Sequence, residues 1–407
     1  MFFGWRVVAG SFVAMMLVLG FFTYSFTLFI TSLQQEFGVG LEPVMYSLTL
    51  GTFMGMIVGP LSGILVDRYS VRLLMTGGCF IVAAGFWVMS AATSIGMFNL
   101  AFAVTFSLGN GIVGTMAGSA VVSRWFVRSR GRAMGITTMG TSIGGLALPP
   151  LSTWWIAEYG WRGALEHFAL LTVLLVAPWI WLNVRDRPGD LGLQPDGAPA
   201  EPQEATPTAP QQAPPGMGEI VRRREFWLIA LSVGFLVAAF SATLANLSPY
   251  AVGLGASKVQ ASSLIMMLAI AGLVGKLLFG MAADRFSLKW GLWASQSMVG
   301  IALVLMILQP PWPLVVAAAL CLGLATGGLL PVWNSMMALV FGTDSFGRAM
   351  GAMGPVITLL VMPAYVLVGR LHDLQGSYTA SFTVFLCLIV LGIVLLAPVR
   401  LPETQEH

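Results

Sequence analysis

The stretch Gly63-Ile64-Leu65-Val66-Asp67-Arg68-Tyr69-Ser70-Val71-Arg72 joins two long apolar runs, and 217 residues later Gly280-Met281-Ala282-Ala283-Asp284-Arg285-Phe286-Ser287-Leu288-Lys289 does the same. A second phrase, Arg132-Ala133-Met134-Gly135, recurs 216 residues on as Arg348-Ala349-Met350-Gly351. Two unrelated motifs repeating at nearly one offset mean a chain made of two similar halves. Tyr159-Gly160-Trp161 and Gln375-Gly376-Ser377-Tyr378 echo each other in the same register. Because every motif sits between apolar runs, the repeating unit is a bundle of membrane helices.

Composition agrees. The chain is 57% hydrophobic and 9% charged, with a mean hydropathy of +0.85, more apolar surface than a soluble core of this length can hide. A spanning helix needs roughly 20 apolar residues, and the apolar runs predict twelve. The first half gives 5–31, 43–66, 72–92, 96–124, 131–157 and 163–183; the second gives 225–251, 260–283, 288–308, 313–341, 347–372 and 378–399. The expected fold class is an all-α membrane protein of two six-helix bundles, residues 1–183 and 225–407. Between them, 184–224 carries eight prolines among Ala, Gln and Glu, a composition that buries too little surface to fold and reads as a flexible cytoplasmic linker.

Charge sets the orientation, because Lys and Arg of short loops stay on the cytoplasmic side. With both termini inside, Arg6, Arg68, Arg72, Arg124, Arg128, Arg130, Arg132, Arg185, Arg187, Arg222, Arg223, Arg224, Arg285, Lys289, Arg348 and Arg400 are cytoplasmic, 16 of the 20 basic residues. Arg162, Lys258 and Arg370 fall at outer ends and Lys276 inside a span. The formal charge of +3 therefore reports topology and gives no reason to expect nucleic acid. Cys79, Cys321 and Cys387 lie far apart in apolar runs without a CxxC or a His partner, so they read as packing residues and no metal is expected. The expected setting is the plasma membrane (a bacterial inner membrane), with the chain working as a monomer.

Parallel repeats of membrane helices are one plan of secondary transporters, with a substrate site between the halves near the bilayer midplane. Glycines cluster in the fourth, fifth, tenth and eleventh spans beside Pro149, Pro150, Pro331 and Pro355, giving close and bendable helix contacts that suit halves rocking against each other. An acid at the membrane face is costly unless paired. Asp67 is expected to meet Arg124, Arg128, Arg130 or Arg132, or the positive start of the eleventh span, and Asp284 to meet Arg348 and the start of the fifth span. With Arg68, Arg72 and Arg285, these form a candidate cytoplasmic gate whose pairs break and remake.

Lys276 lies eight residues before Asp284, about 12 Å along the helix from the inner end and so deep in the bilayer. A cation there marks a pathway or a site, and no span interior of the sequence offers an acid for it. The expected partner is a substrate carboxylate, which a Lys meets as a point charge. A few polar anchors in an apolar wall complete such a pocket; the candidates are Tyr24, Thr27, Asn110, Asn246, Tyr250, Trp333 and Asn334. Arg370, beside His372 and Asp373, is a candidate outer gate or second anion contact.

Gly-x-x-x-Asp-Arg-x-x-x-Arg between the second and third spans, with a weaker copy between the eighth and ninth, resembles the signature loop of the major facilitator superfamily. Further phrases narrow the likeness: Gly4-Trp5-Arg6-Val7-Val8, Arg124-Trp125-Phe126 with Arg130-Gly131, Tyr159-Gly160-Trp161-Arg162, Asn246-Leu247-Ser248-Pro249-Tyr250-Ala251, and Gly275-Lys276-Leu277-Leu278-Phe279-Gly280. Together they are similar to the monocarboxylate transporters and the bacterial oxalate/formate antiporter group, from residue 4 to about 380. The resemblance implies Arg where this chain has Lys276, an aspartate where it has Gly272, and a lysine in the first span, where Phe21–Ile30 has none. It also implies a Gly and a basic residue at Ser287 and Leu288.

The function expected is therefore secondary active transport of small organic anions, monocarboxylates first, by proton symport. Anion exchange of a dicarboxylate or oxalate-like substrate, export of amphipathic drugs, and a membrane receptor without transport are the alternatives. No phosphate loop of the GxxxxGK(S/T) kind occurs, and His167 and His372 stand apart from any nucleophile. Neither an enzyme nor a cofactor is expected; the partners are a small organic anion, a proton and the lipid bilayer.

Overall fold

The computed structural model describes residues 2–126, 129–197, 217–283, 287–341 and 346–399. Asp284 and Arg285 lie outside these residues, and so do the side chains of Asp67, Arg130, Asn334 and Arg348. Among the described residues every regular element is helical. Lipid supplies no hydrogen-bonding partner, so each apolar run must satisfy its own peptide groups by coiling. Ten helical stretches there are long and apolar enough to cross a membrane.

In chain order the helices are α1 (Gly4–Leu19), α2 (Ile30–Phe37), α3 (Leu41–Arg68), α4 (Val71–Ser90), α5 (Ile95–Leu108), α6 (Thr115–Trp125), α7 (Arg130–Leu171) and α8 (Ala177–Asn183). There follow α9 (Met217–Arg222), α10 (Arg224–Ala245), α11 (Leu247–Gly253), α12 (Lys258–Ala283), α13 (Leu288–Ile307), α14 (Trp312–Phe341), α15 (Phe346–Gln375) and α16 (Thr379–Leu396). They form two compact units, one of Met1–Gln203 with Ala245–Met266, the other of Glu204–Leu244 with Met267–His407.

In the first unit α1 lies against α7 with their backbones nearly touching. A Cβ on Gly20 would come within 2.7 Å of the Gly144 Cα, and one on Gly140 would strike the Phe12 carbonyl. Small residues at this spacing let membrane helices approach without a hydrophobic drive. Above the crossing, α1 gives way to a π-turn (Gly20–Ser25) and a 3-10 turn (Phe26–Leu28). Those turns point Phe21 at Phe86 and Phe168, with centroids 4.6 and 4.8 Å apart, and Phe26 at Phe102, 4.4 Å away. The 42-residue α7 would be about 63 Å long if straight, twice the thickness of the hydrocarbon core. It turns at Gly160, whose φ of 70° and ψ of 172° are backbone values that glycine adopts without a Cβ clash.

In the second unit α13 packs on α14 and α16, and α15 lies against α9, α14 and α16. A small polar knot ties α10, α13 and α16 inside the apolar wall. Ser232 Oγ donates to the Gly392 carbonyl at 2.8 Å, and Gln296 Nε2 donates to Ser232 Oγ at 2.9 Å. Burying a hydroxyl and an amide at such depth is tolerable only with partners of this kind.

Candidate functional site

Lys276 sits beside a very close helix contact in the second unit. A Cβ on Gly275 would lie 2.5 Å from the Leu324 carbonyl oxygen, and one on Gly327 would run into the Gly275 carbonyl carbon and the Lys276 amide. The backbones of α12 and α14 therefore touch at the Gly275–Lys276 peptide, which fixes the height at which the half-buried Lys276 leaves α12. One turn earlier stands Gly272, the position that the resemblance fills with aspartate. A Cβ there would meet Thr326 Oγ1 at 2.8 Å, and that hydroxyl donates to the Gly323 carbonyl at 2.7 Å. Any side chain at 272 would therefore require Thr326 to shift. Trp333 follows on α14, its indole N–H directed at Met353 Sδ of α15, 3.2 Å away.

The first unit gathers another part of the predicted set. Thr27 Oγ1 accepts from the Ser248 amide at 3.2 Å, and Asn246 Nδ2 donates to Met45 Sδ at 3.5 Å. Thr27, Asn246 and Tyr250 are each buried, at 1%, 0% and 3% exposure. The predicted span 225–251 is broken at Asn246, whose φ of −105° and ψ of 6° separate α10 from α11. Pro249 then stands in the first turn of α11, where its missing N–H costs no helical hydrogen bond. Tyr24 and Asn110 fall in π-turns, Gly20–Ser25 and Gly109–Val113, features frequent at functional sites. Asn110 is engaged within its own segment, accepting from Thr115 Oγ1 at 3.0 Å.

Where α3 gives way to α4, Arg124 Nη2 donates to the Val66 carbonyl at 2.8 Å and so closes the C-terminal end of α3, next to Asp67. Arg72 turns to another partner. Its guanidinium lies over the Trp181 ring at 3.6 Å, its Nε donates to the Trp181 carbonyl at 2.9 Å, and its amide donates to Asp186 Oδ1 at 2.9 Å. Arg68 is exposed. At the opposite helix ends Arg162, which the charge pattern marked only as an outer residue, gathers several contacts. It donates to the carbonyls of Ser90 and Ala92, pairs with Glu36 at 3.0 Å and lies over Trp161 at 4.3 Å. Apart from the adjacent Trp161, its neighbours come from two distant segments, so only the folded chain reveals them. Arg370 is exposed, while His372 Nδ1 stands 3.7 Å from Asp373 Oδ1.

An apolar groove of about 420 Å³ lies in the first unit, lined by Pro150, Thr153, Trp154 and Ala157 of α7 and by Val259, Ser262, Ser263 and Met266 of α12. It contains none of the predicted site residues. Its lining is apolar apart from the hydroxyls of Thr153, Ser262 and Ser263.

The Major Facilitator Superfamily model matches residues 10–275 and 236–407. Monocarboxylate transporter 12 of Rattus norvegicus is 25% identical over 402 residues, covering 93% of this chain and 82% of the relative. Monocarboxylate transporter 13 of Bos taurus is 27% identical over 390 residues, covering 94% and 85%. Two crystal structures of a bacterial homologue of the human lysosomal transporter Spinster, inward-facing and either unoccupied or occupied, match with TM-scores of 0.71 and 0.70 at 14% identity. Each match covers 97% of this chain and 95% of the other, and at that identity the likeness is one of fold.

Proposed function

We infer the function from one premise: the chain belongs to the major facilitator superfamily. It is an integral, multi-pass membrane transporter of the monocarboxylate transporter group, and its relatives are transporters rather than enzymes. From there we propose that it carries small organic anions, monocarboxylates first, by alternating access and proton symport. The names of the relatives support the substrate class. The observation that carries the proposal is the placing of Lys276, a cation deep in α12 whose backbone is locked against α14 at Gly275 and Gly327. A point charge carried from so fixed a backbone position suits a single carboxylate. The polar anchors proposed around the route are Tyr24, Thr27, Asn110, Asn246, Tyr250, Trp333 and Asn334.

The same reading proposes twelve spans, bundles 1–183 and 225–407, cytoplasmic termini, an inner-membrane setting and a monomer at work. Splitting the 52-residue helical stretch 132–183 at Gly160 and adding the 30-residue α14 supports the count of twelve. Asp67, Arg68, Arg72, Arg124, Arg130, Asp284, Arg285 and Arg348 are proposed as cytoplasmic gate residues, and Arg370 as the outer contact. Anion exchange is the second reading, favoured by Gly272 standing where the resemblance places a carboxylate. Uptake into proteoliposomes of labelled short mono- and dicarboxylates tests the proposal. Saturable uptake of a monocarboxylate, competed by its congeners, is expected; saturable uptake of amphipathic cations in its place would sink it.

A further inference from the structure

Two carboxylates of the segment after α8, Asp186 and Asp196, each sit on the N-terminus of a different long helix. Asp186 Oδ1 accepts from the amide of Arg72, the second residue of α4, where Ser70 Oγ also accepts from the Leu73 amide at 3.3 Å. Asp196 Oδ1 accepts at 3.1 Å from the amide of Ser129, the residue that precedes α7. The first amides of a helix have no partner within it and favour an anion. Between the two carboxylates the chain is itself folded. Asp190 Oδ2 accepts from the Arg187 amide at 3.0 Å, the Leu193 amide donates to the Pro188 carbonyl at 3.0 Å, and Gly192 makes the turn at φ 66°.

The root of this segment is fastened as well. Trp125 Nε1, at the end of α6, donates to the Arg185 carbonyl at 2.9 Å, and Arg6 Nε of α1 donates to Asn183 Oδ1 at 3.2 Å. Val184 is buried against Gly10, where a Cβ would come within 2.7 Å of Val184 Cγ2. Residues 183–197 thus reach the cytoplasmic ends of α1, α4, α6 and α7. Composition gives no hint of this, because Asp186 and Asp196 act through partners 114 and 67 residues away.

We propose that residues 184–197 are a strap built into the cytoplasmic gate, in which Asp186 and Asp196 are positioning residues that make the starts of α4 and α7 move as one body. The word gate rests on the transport reading; the fastening itself does not. The test is amide hydrogen exchange of the full chain in nanodiscs, read by mass spectrometry. Asp186→Ala should speed exchange in peptides spanning Arg72, and Asp196→Ala in peptides spanning Ser129, each by roughly two- to thirty-fold, the range for a lost helix N-cap. Asp186→Asn, which keeps an accepting oxygen, should restore most of the protection. A cysteine placed at Gly135, where a side chain meets nothing within 4 Å, should react faster with a maleimide in Asp196→Ala. In proteoliposomes both alanine variants should lower turnover while the anion concentration at half-maximal uptake stays the same. Unchanged exchange at both sites overturns the strap, and altered exchange with unchanged turnover overturns its place in the gate. Absence of uptake by the wild-type chain would refute the transport reading instead, while exchange and maleimide labelling still decide the fastening.

Discussion

Adding a single methyl group at Gly275 tests the site most directly. The Cβ of Gly275→Ala would stand 2.5 Å from the Leu324 carbonyl oxygen, against 3.4 Å for ordinary contact, so α12 must withdraw from α14 by about 0.9 Å. The obstacle is backbone and cannot rotate away. Overpacking of this kind costs about 1–3 kcal/mol, which lowers the thermal midpoint of the detergent-solubilised protein. The larger consequence is functional, because the next residue is Lys276 and a shift near 1 Å can cost roughly a hundredfold where geometry matters. Gly351→Ala is the control: it adds the same methyl group to a glycine of the same unit with nothing within 4 Å. The two variants would be compared by intrinsic-fluorescence melting and by initial rates of anion uptake. Gly275→Ala is expected to melt lower and to transport far more slowly than Gly351→Ala. Indistinguishable melts and rates would refute the claim that α12 and α14 touch beside Lys276.

Lys276→Ala should abolish anion uptake in a chain that still elutes as a folded monodisperse species, and Lys276→Arg should retain part of it; equal uptake by the alanine variant would end the proposal. Under symport, a gradient that drives protons inward should concentrate anion in vesicles without internal anion, whereas uptake that demands preloading would identify exchange. Arg162→Ala should lower stability by roughly 1–2 kcal/mol, since it removes donors to Ser90 and Ala92 and the pair with Glu36. An unchanged melt would mean that water replaces those bonds at no cost.

Which features were legible before folding follows a physical line. The all-helical membrane class could be read from composition, because in lipid each apolar run must satisfy its peptide groups within itself, whatever its neighbours are. The duplication was legible for a similar reason, since the phrases around Asp67 and Asp284 and around Arg132 and Arg348 are local strings whose spacing needs no structure. Gly160 announced a turn between two apolar runs, and the backbone there takes a positive φ.

The tertiary structure alone decided what those residues meet. Gly275 and Gly327 are two glycines among 47, and only the crossing of α12 on α14 makes them the pair that fixes Lys276. The π-turns that carry Tyr24 and Asn110 arise where a packed helix accommodates an extra residue, which no periodicity of the chain records. Asp186, Asp196 and Arg162 are charges in polar stretches until the fold brings distant amides, carbonyls and rings to them. Apolar run length acts along the chain and can be read from it. Close backbone contact and helix capping at a distance depend on which segments meet, and those meetings are set by packing across the whole unit.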